Sequence, residues 1–242
     1  MNVNITHLYP DFLNLYGDRG NIAALKMRCL WRGIEVKVTA VEGDALPDLD
    51  HTDILFLGGG SDREQWIVCQ KLRKIQEQIS RYVEQNGVLL AVCGGYQLLG
   101  NFYQVGGQRI EGLQLIDFET IAGNTRLIGN VLIDCEIDGT AFQIAGFENH
   151  AGRTNIKNNK PFGRVISGFG NNGEDGWEGI LYKNVIGTYL HGPILPKNAV
   201  LTDLILERAL KKKYPEFTSM MKLEDRFETI ALQEMKERML QK

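Results

Sequence analysis

Leu89-Leu90-Ala91-Val92-Cys93-Gly94-Gly95-Tyr96-Gln97-Leu98-Leu99-Gly100 is the stretch on which the fold turns. Val88 to Val92 is a continuous apolar run, as expected of a strand buried on both faces of a parallel sheet. A cysteine flanked by small residues follows, and then a helical pattern. This is the sequence form of a nucleophile elbow, a sharp strand-to-helix turn whose strained backbone needs small neighbours. Ala91, Gly94 and Gly95 meet that need. The turn sets the Cys93 sulfur at a helix N-terminus, where the dipole and free N–H groups favour thiolate. The same N–H groups can hold a developing oxyanion. Cysteine is also among the most buried residue types, and Cys29, Cys69 and Cys135, which lack this context, read as structural.

Outward from the elbow, the first hundred residues alternate strand and helix signals. Val3 to Leu8, Glu35 to Val41 and Ile54 to Leu57 read as strands. Asn21 can cap a helix running to Arg32, with Gly33 as its stop. Val68, Leu72, Ile75, Ile79 and Val83 lie on one helical face, which predicts a single long helix ended by Asn86-Gly87. Such alternation predicts a wound α/β sheet with helices on both faces. From Gln104 to His191, β-type runs alternate with turns, among them Gly170-Asn171-Asn172-Gly173 and Lys183-Asn184. Ala199 to Lys213 and roughly Leu223 to Leu240 return to helix. The expectation is one domain over residues 1–242, with a core over 1–196 and C-terminal helices over 198–242. Its central sheet is parallel in its first half and gains antiparallel strands in its second.

A thiol nucleophile of this kind needs a histidine brought close in space. The candidates are His7, His51, His150 and His191. His191 follows the apolar run Val185 to Leu190 and precedes Gly192-Pro193, at a strand's C-terminal end, where open α/β sheets place their chemistry. His150, in Phe147-Glu148-Asn149-His150, is the runner-up. His7 lies within the first strand and His51 in an acidic loop, and both read as structural or solvated. Gly58-Gly59-Gly60-Ser61-Asp62 lets backbone approach a ligand closely. No Gly-Lys-Ser/Thr follows, so a phosphate loop is disfavoured. A second wall of an oxyanion hole opposite Cys93 is the better reading.

Composition narrows the partners. Among 242 residues the net charge is −3, which gives no footprint for nucleic acid. No apolar run approaches the roughly 20 residues needed for a membrane span, and Met1 to Pro10 lacks the form of a signal peptide. No two cysteines have Cys-x-x-Cys spacing, so no metal knuckle is expected. A cytoplasmic location is the simplest expectation.

At these residues the chain resembles the class I glutamine amidotransferases, and more narrowly their cobyric-acid-synthase-like branch. Within it the chain is most similar to the glutaminase subunits, of the GatD type, of lipid II isoglutaminyl synthases. The segments that carry this are Tyr9-Pro10-Asp11 with Leu13-Asn14-Leu15-Tyr16, Gly58 to Glu64, and Cys93-Gly94-Gly95-Tyr96-Gln97. Asn124-Thr125-Arg126-Leu127, Gly146 to His150 and Gly187 to Pro196 complete the set. The resemblance implies a flavodoxin-like amidotransferase fold. It implies that Cys93 attacks the side-chain amide of L-glutamine and that His191 shuttles the proton. It implies that Arg126 binds the substrate, in line with the match of a guanidinium to a carboxylate. Gln97 would border the pocket, and Gly59 and Gly94 would donate to the oxyanion, with Gly60 and Gly95 still open. One departure stands out: Pro193 occupies the place where ordinary members carry a glutamate two residues after the histidine. The cobyric-acid-like branch shares this lack. Either a backbone group holds His191, or a carboxylate from a partner completes the site.

The chain has no motif for ATP, yet amidating a carboxylate requires activation. The resemblance supplies a MurT-type, Mur-ligase-like synthetase as partner in a heterodimer. ATP and metal are expected there, and no cofactor in this chain. That partner would amidate the D-glutamate of the lipid II stem peptide at the inner face of the membrane. Competing readings are an amidotransferase for a corrin-type acid, a cysteine peptidase or amidase, and a non-catalytic stabiliser of a synthetase.

Overall fold

The computed structural model describes every residue except Tyr16, Gly106 and Lys242, so Tyr16 of the family segment lies outside the described residues. The first half comprises β1 (Asn2–Leu8), α1 (Arg19–Leu30), β2 (Glu35–Val41), β3 (Ile54–Leu57), α2 (Asp62–Arg73), α3 (Gln76–Glu84), β4 (Val88–Val92) and α4 (Gly94–Leu98). The second half begins with β5 (Phe102–Val105), β6 (Gln108–Glu111), β7 (Glu119–Ile137), β8 (Thr140–Asn155) and β9 (Gly163–Ser167). β10 (Trp177–Glu178), β11 (Ile180–Tyr182), β12 (Val185–Thr188), α5 (Ala199–Lys213) and α6 (Arg226–Leu240) complete it.

The central sheet has the order β11-β12-β4-β3-β1-β2 and is parallel except for β11. Every residue of β3 and β4 is buried, which is why both read as unbroken apolar runs. The β1-to-β2 and β3-to-β4 crossovers run in opposite directions along the sheet. Right-handed connections therefore put α1 on one face and α2 and α3 on the other. α5 packs beside α1. The sheet reverses direction between β1 and β3, and the loops that leave the C-terminal ends of β1, β3, β4 and β12 gather there.

The added antiparallel strands divide between two sheets. β11 joins the central sheet through the two-residue Lys183-Asn184 turn, with Lys183 at φ 52°. The others form a second sheet of order β10-β9-β7-β5-β6, with β8 paired to β7, antiparallel except for the parallel β5–β7 pair. β7 and β8 are 19 and 16 residues long and ladder on each other from Glu119↔Asn155 to Ile137↔Thr140. β8 pairs one edge of β7 while β5 and β9 pair the other, so β7 completes its backbone bonding within the second sheet. One continuous core nevertheless joins Val131, Ile133 and Ile144 of this sheet to Val92 and Ile186 of the other.

Two local expectations are corrected. The long helix is broken at Lys74-Ile75, where Ile75 has φ −120° and ψ 18°. The apolar stripe hides the break, because Val68, Leu72, Ile75, Ile79 and Val83 all stay buried across it. Asn21 does not cap α1, which starts two residues earlier; it is buried within the helix and accepts the Leu195 N–H at 2.9 Å. At the other end, α6 packs Met239 on Leu132 and Ala145 while Phe227 stays exposed.

Glu178, at the end of β10, is fully buried. It accepts the Tyr189 N–H at 2.6 Å and contacts the Thr188 hydroxyl at 3.0 Å. Burial pushes its carboxyl up to about 8, and the charge of Glu148 adds to this against the opposing hydrogen bonds. The folded chain therefore keeps this proton to higher pH than the unfolded chain, whose value lies at 4.5. The stability contributed is full below pH 4.5 and falls as pH rises to about 8. Glu178→Gln removes that loss, so it gains on the wild type by on the order of 4 kcal/mol across the window. Denaturant unfolding of both proteins at about pH 5 and about pH 8.5 checks this. A difference that is the same at both pH values contradicts it.

Candidate active site

β4 delivers Cys93 into a backbone conformation of φ 51° and ψ −112°, which residues with a side chain rarely adopt. Surrounding structure must hold such strain. The Cys93 N–H donates to Thr188 O at 2.8 Å, and the Gly95 N–H donates to Gly58 O at 3.1 Å. The elbow is thus pinned to β12 on one side and to the glycine loop on the other. A Cβ at Gly95 would sit 2.6 Å from both Leu57 O and Gly58 O, and one at Gly59 would sit 3.0 Å from Cys93 Cβ. The glycines are required by this close approach. After the loop, Ser61 and Glu64 form a capping box that starts α2.

A cleft of about 240 Å³ opens beside the elbow. Cys93, Gly94, Gln97, Arg126, His150 and Gly60 are among the residues that line it. Arg126 stands exposed at the mouth, on the bulge that interrupts β7 pairing between Ala122 and Leu127. Asn149 orients its guanidinium through Oδ1 and O, both at 2.7 Å. Gln97 is already engaged, accepting from Gln65 at 2.9 Å and donating to Tyr189 OH at 3.0 Å. Its amide is therefore part of the wall.

The register Thr188↔Val92 sets the ends of β12 and β4 side by side, and His191 follows three residues later. His191 is buried and does not itself line the cleft. Its backbone pairs with Phe147, donating at 2.9 Å and accepting at 3.3 Å, and its ring stands edge-on to Phe147. Burial first, then the charges of His150, Lys197 and Arg126, push its proton affinity down to about 4. Burial, followed by Asp18, pushes the Cys93 thiol up to about 12, against the Gly94 N–H and Arg126. In the resting site these shifts favour a neutral thiol and a neutral imidazole, so the helix N-terminus does not hold a thiolate there.

His150 does line the cleft, but both ring nitrogens are engaged. Nδ1 lies 2.8 Å from Gly152 O and Nε2 lies 3.3 Å from Glu148 Oε2. Its ring stacks on Tyr189 at 3.6 Å. His7 is buried against Phe56, and exposed His51 pairs with Asp48. Cys29, Cys69 and Cys135 are buried thiols.

The glycine loop differs in detail from expectation. The Gly59 N–H donates to Asp18 Oδ2 at 3.0 Å. Among the described residues the Gly60 N–H has no acceptor, and Gly60 N lies 3.5 Å from where a side chain on Gly94 would begin. Asp18, Asn21, Gln65 and Glu178 all shape this region without having been singled out for it. Asn21 reads as a helix cap, and nothing in a local pattern shows that Asp18 faces Gly59, 41 residues away. Among the described residues no cluster of His, Cys, Asp and Glu could hold a metal ion, and no helix is long and apolar enough to cross a membrane.

A thiol on a strained elbow, the Gly94 N–H beside it and a histidine just beyond the adjacent strand end are the parts that a nucleophilic acyl-transfer site requires. Residues 4–199 match the CobB/CobQ-like glutamine amidotransferase domain, and the chain belongs to that family. It is closely related to the GatD subunit of the glutamine-hydrolysing lipid II isoglutaminyl synthase of Staphylococcus aureus N315, at 46% identity over 87% of this chain and 86% of that one. The corresponding subunit of Streptococcus pneumoniae R6 is 45% identical over 92% of this chain and 86% of that one. A probable cobyric acid synthase of Methanocaldococcus jannaschii is 34% identical over 66% of this chain, but the match spans only 34% of that longer protein. A crystal structure of a glutamine amidotransferase from Thermotoga maritima shares the fold, with TM-score 0.51 and 13% identity over 99% of both chains.

Proposed function

We propose that this chain is the glutamine-hydrolysing subunit of a GatD-type lipid II isoglutaminyl synthase and passes ammonia to an ATP-dependent, Mur-ligase-like partner of the MurT type. The observation that carries the proposal is the Cys93 elbow, opening on a cleft of about 240 Å³ with Arg126 at its mouth. The close relationship to two GatD subunits supports the choice within the family. The whole chain acts as one amidotransferase domain, its C-terminal helices packed on the family core.

The chemistry follows from the placement. Arg126 takes the α-carboxylate of L-glutamine and Gln97 borders the pocket. Cys93 Sγ attacks the side-chain amide carbon while His191 accepts the thiol proton. The Gly94 N–H holds the oxyanion together with the Gly60 N–H, since the Gly59 N–H is engaged by Asp18. His191 returns the proton to the departing nitrogen, which leaves as ammonia. Water then attacks the glutamyl thioester, releasing glutamate and restoring the thiol. On the partner, ATP phosphorylates the α-carboxyl of D-glutamate in the lipid II stem peptide, and ammonia displaces phosphate to give D-isoglutamine. Because lipid II is membrane-anchored, the pair works in the cytoplasm at the inner face of the membrane. ATP and metal belong to the partner.

The proline at position 193 and the depressed proton affinity of His191 favour a carboxylate supplied by the partner. An anion beside the imidazole raises its proton affinity and makes it a better base. The complex should then hydrolyse L-glutamine at least about tenfold faster than the isolated chain. Ammonia release measured for the chain, the complex, and the complex with ATP tests this. Equal rates with and without the partner contradict the supplied carboxylate, and no hydrolysis in any sample contradicts the amidotransferase reading.

A further inference from the structure

The carboxyl group of Asp18 is fully buried and its Oδ2 accepts the Gly59 N–H at 3.0 Å. A Cβ at Gly58 would lie 2.9 Å from the same oxygen, so the carboxyl lies flat against the glycine loop. The Leu15 N–H donates to Gly59 O at 3.1 Å. Both polar backbone atoms of Gly59 are therefore tied to the segment between β1 and α1. On its other side, Asp18 Oδ1 faces Asn21 Nδ2 at 3.5 Å, and Asn21 Oδ1 accepts the Leu195 N–H at 2.9 Å. Leu195 lies four residues after His191 on the same loop.

We infer that Asp18 is a positioning residue of the amidotransferase site: by holding the Gly59 N–H it fixes the Gly58–Gly59 peptide, directly before the peptide that presents the Gly60 N–H to the cleft and whose carbonyl the Leu15 N–H holds, and through Asn21 it ties that loop to the chain following His191. The inference rests on the reading of Cys93 as nucleophile and of residues 58–60 as the oxyanion wall. A buried carboxylate holding a backbone N–H makes a strong, directional bond. Without it, the Gly59 N–H must find another acceptor, and the loop turns with it. The charge has a second, separable effect. Asp18 and Asp62 oppose a thiolate at Cys93, the Gly94 N–H and Arg126 favour it, and Tyr189 feels the Cys93 charge from the β12 side. Asparagine keeps the acceptor and removes the charge, whereas alanine removes both.

The test uses the full chain with its synthetase and compares wild type, Asp18→Asn and Asp18→Ala. Two readouts are taken: kcat and KM for L-glutamine, and the pH profile of Cys93 alkylation by iodoacetamide. Asp18→Ala should lower kcat about a hundredfold, the size of losing one oxyanion donor, with KM changed less than about threefold. Asp18→Asn should restore kcat to within about tenfold of wild type. Both variants should alkylate at lower pH than wild type. An unchanged kcat in Asp18→Ala, or an equal loss in both variants, overturns the inference. If the alanine variant does not fold, Asp18→Asn decides: an alkylation profile that does not move overturns it. Cys93→Ala separates the two layers. If that variant still hydrolyses glutamine, the reading of the site fails, while the alkylation shift in the Asp18 variants still reports the contact with Cys93's surroundings.

Discussion

Cys93→Ala should lower ammonia release from L-glutamine by at least about 10⁴-fold, alone or with the synthetase, because removing a nucleophile leaves only the binding and oxyanion contributions. The fold should survive the change. Cys93 sits at φ 51°, and alanine meets that conformation with the same Cβ and no larger strain. The backbone bonds that pin the elbow, from Cys93 N–H to Thr188 O and from Gly95 N–H to Gly58 O, use no side-chain atom. The thermal midpoint should therefore stay within a few degrees of wild type, and a loss of turnover cannot be assigned to unfolding. Cys93→Ser should be nearly as inactive, since a hydroxyl proton is far harder to remove than that of a thiol. A second readout isolates the glutaminase half. With the synthetase and ATP, the alanine variant should lose amidation driven by glutamine but keep amidation driven by added ammonium salt. Glutamine turnover persisting in Cys93→Ala sinks the assignment of the nucleophile. Loss of both glutamine-driven and ammonium-driven amidation places the damage in the assembly of the complex.

The elbow could be read before the fold because its constraints are local. Buried β4 demands an apolar run, the sharp turn demands small neighbours, and α4 demands helical spacing, all within a dozen residues. Cys93 and the glycine loop were legible for that reason, as were the bounds of β2, β3, β4 and α5. What stayed hidden was set by partners distant in sequence. The strands after Gln104 alternate as strands do, but alternation does not say which sheet a strand joins. The partners that β7 takes, β8 on one edge and β5 and β9 on the other, decide that. The stripe from Val68 to Val83 is continuous in sequence although the backbone breaks at Ile75. Asp18 takes the Gly59 N–H, and Glu178 takes the Tyr189 N–H across a strand boundary. Neither carboxylate sits in a pattern that marks it, since each acts through a backbone donor and a backbone N–H leaves no trace in the residue type. His191 and His150 could not be separated by local pattern alone, because each follows a strand. In the structure His150 lines the cleft with both ring nitrogens engaged while His191 is buried just beyond the end of the strand beside β4, and the kinetics of their variants separate the two roles.

His191→Ala should lower glutaminase turnover about a thousandfold at pH 7, within the range for loss of a general base. The size follows from the thiol it serves. Burial and the charge of Asp18 push the Cys93 thiol up to about 12, so bulk water at neutral pH generates almost no thiolate. The proton must be taken as the sulfur attacks. His191 is neutral above about pH 4 and is ready to accept it across the physiological range. Turnover by the wild type should therefore depend only weakly on pH between about 7 and 9. In His191→Ala the only route is prior ionisation of Cys93, so the residual rate should climb about tenfold per pH unit over the same range. Measuring kcat against pH for both proteins, in complex with the synthetase, reads both the size and the slope. A variant that matches the wild type at pH 7, or loses turnover without acquiring the steeper slope, puts the base elsewhere. Among the described residues His150 is the histidine that lines the cleft. To serve, it would have to release either Gly152 O or Glu148 and rotate away from its stack on Tyr189. That rotation would also disturb Tyr189 OH, which receives the Gln97 amide. A base at His150 would then raise KM together with the loss of kcat, whereas removing His191 should leave KM for glutamine nearly unchanged.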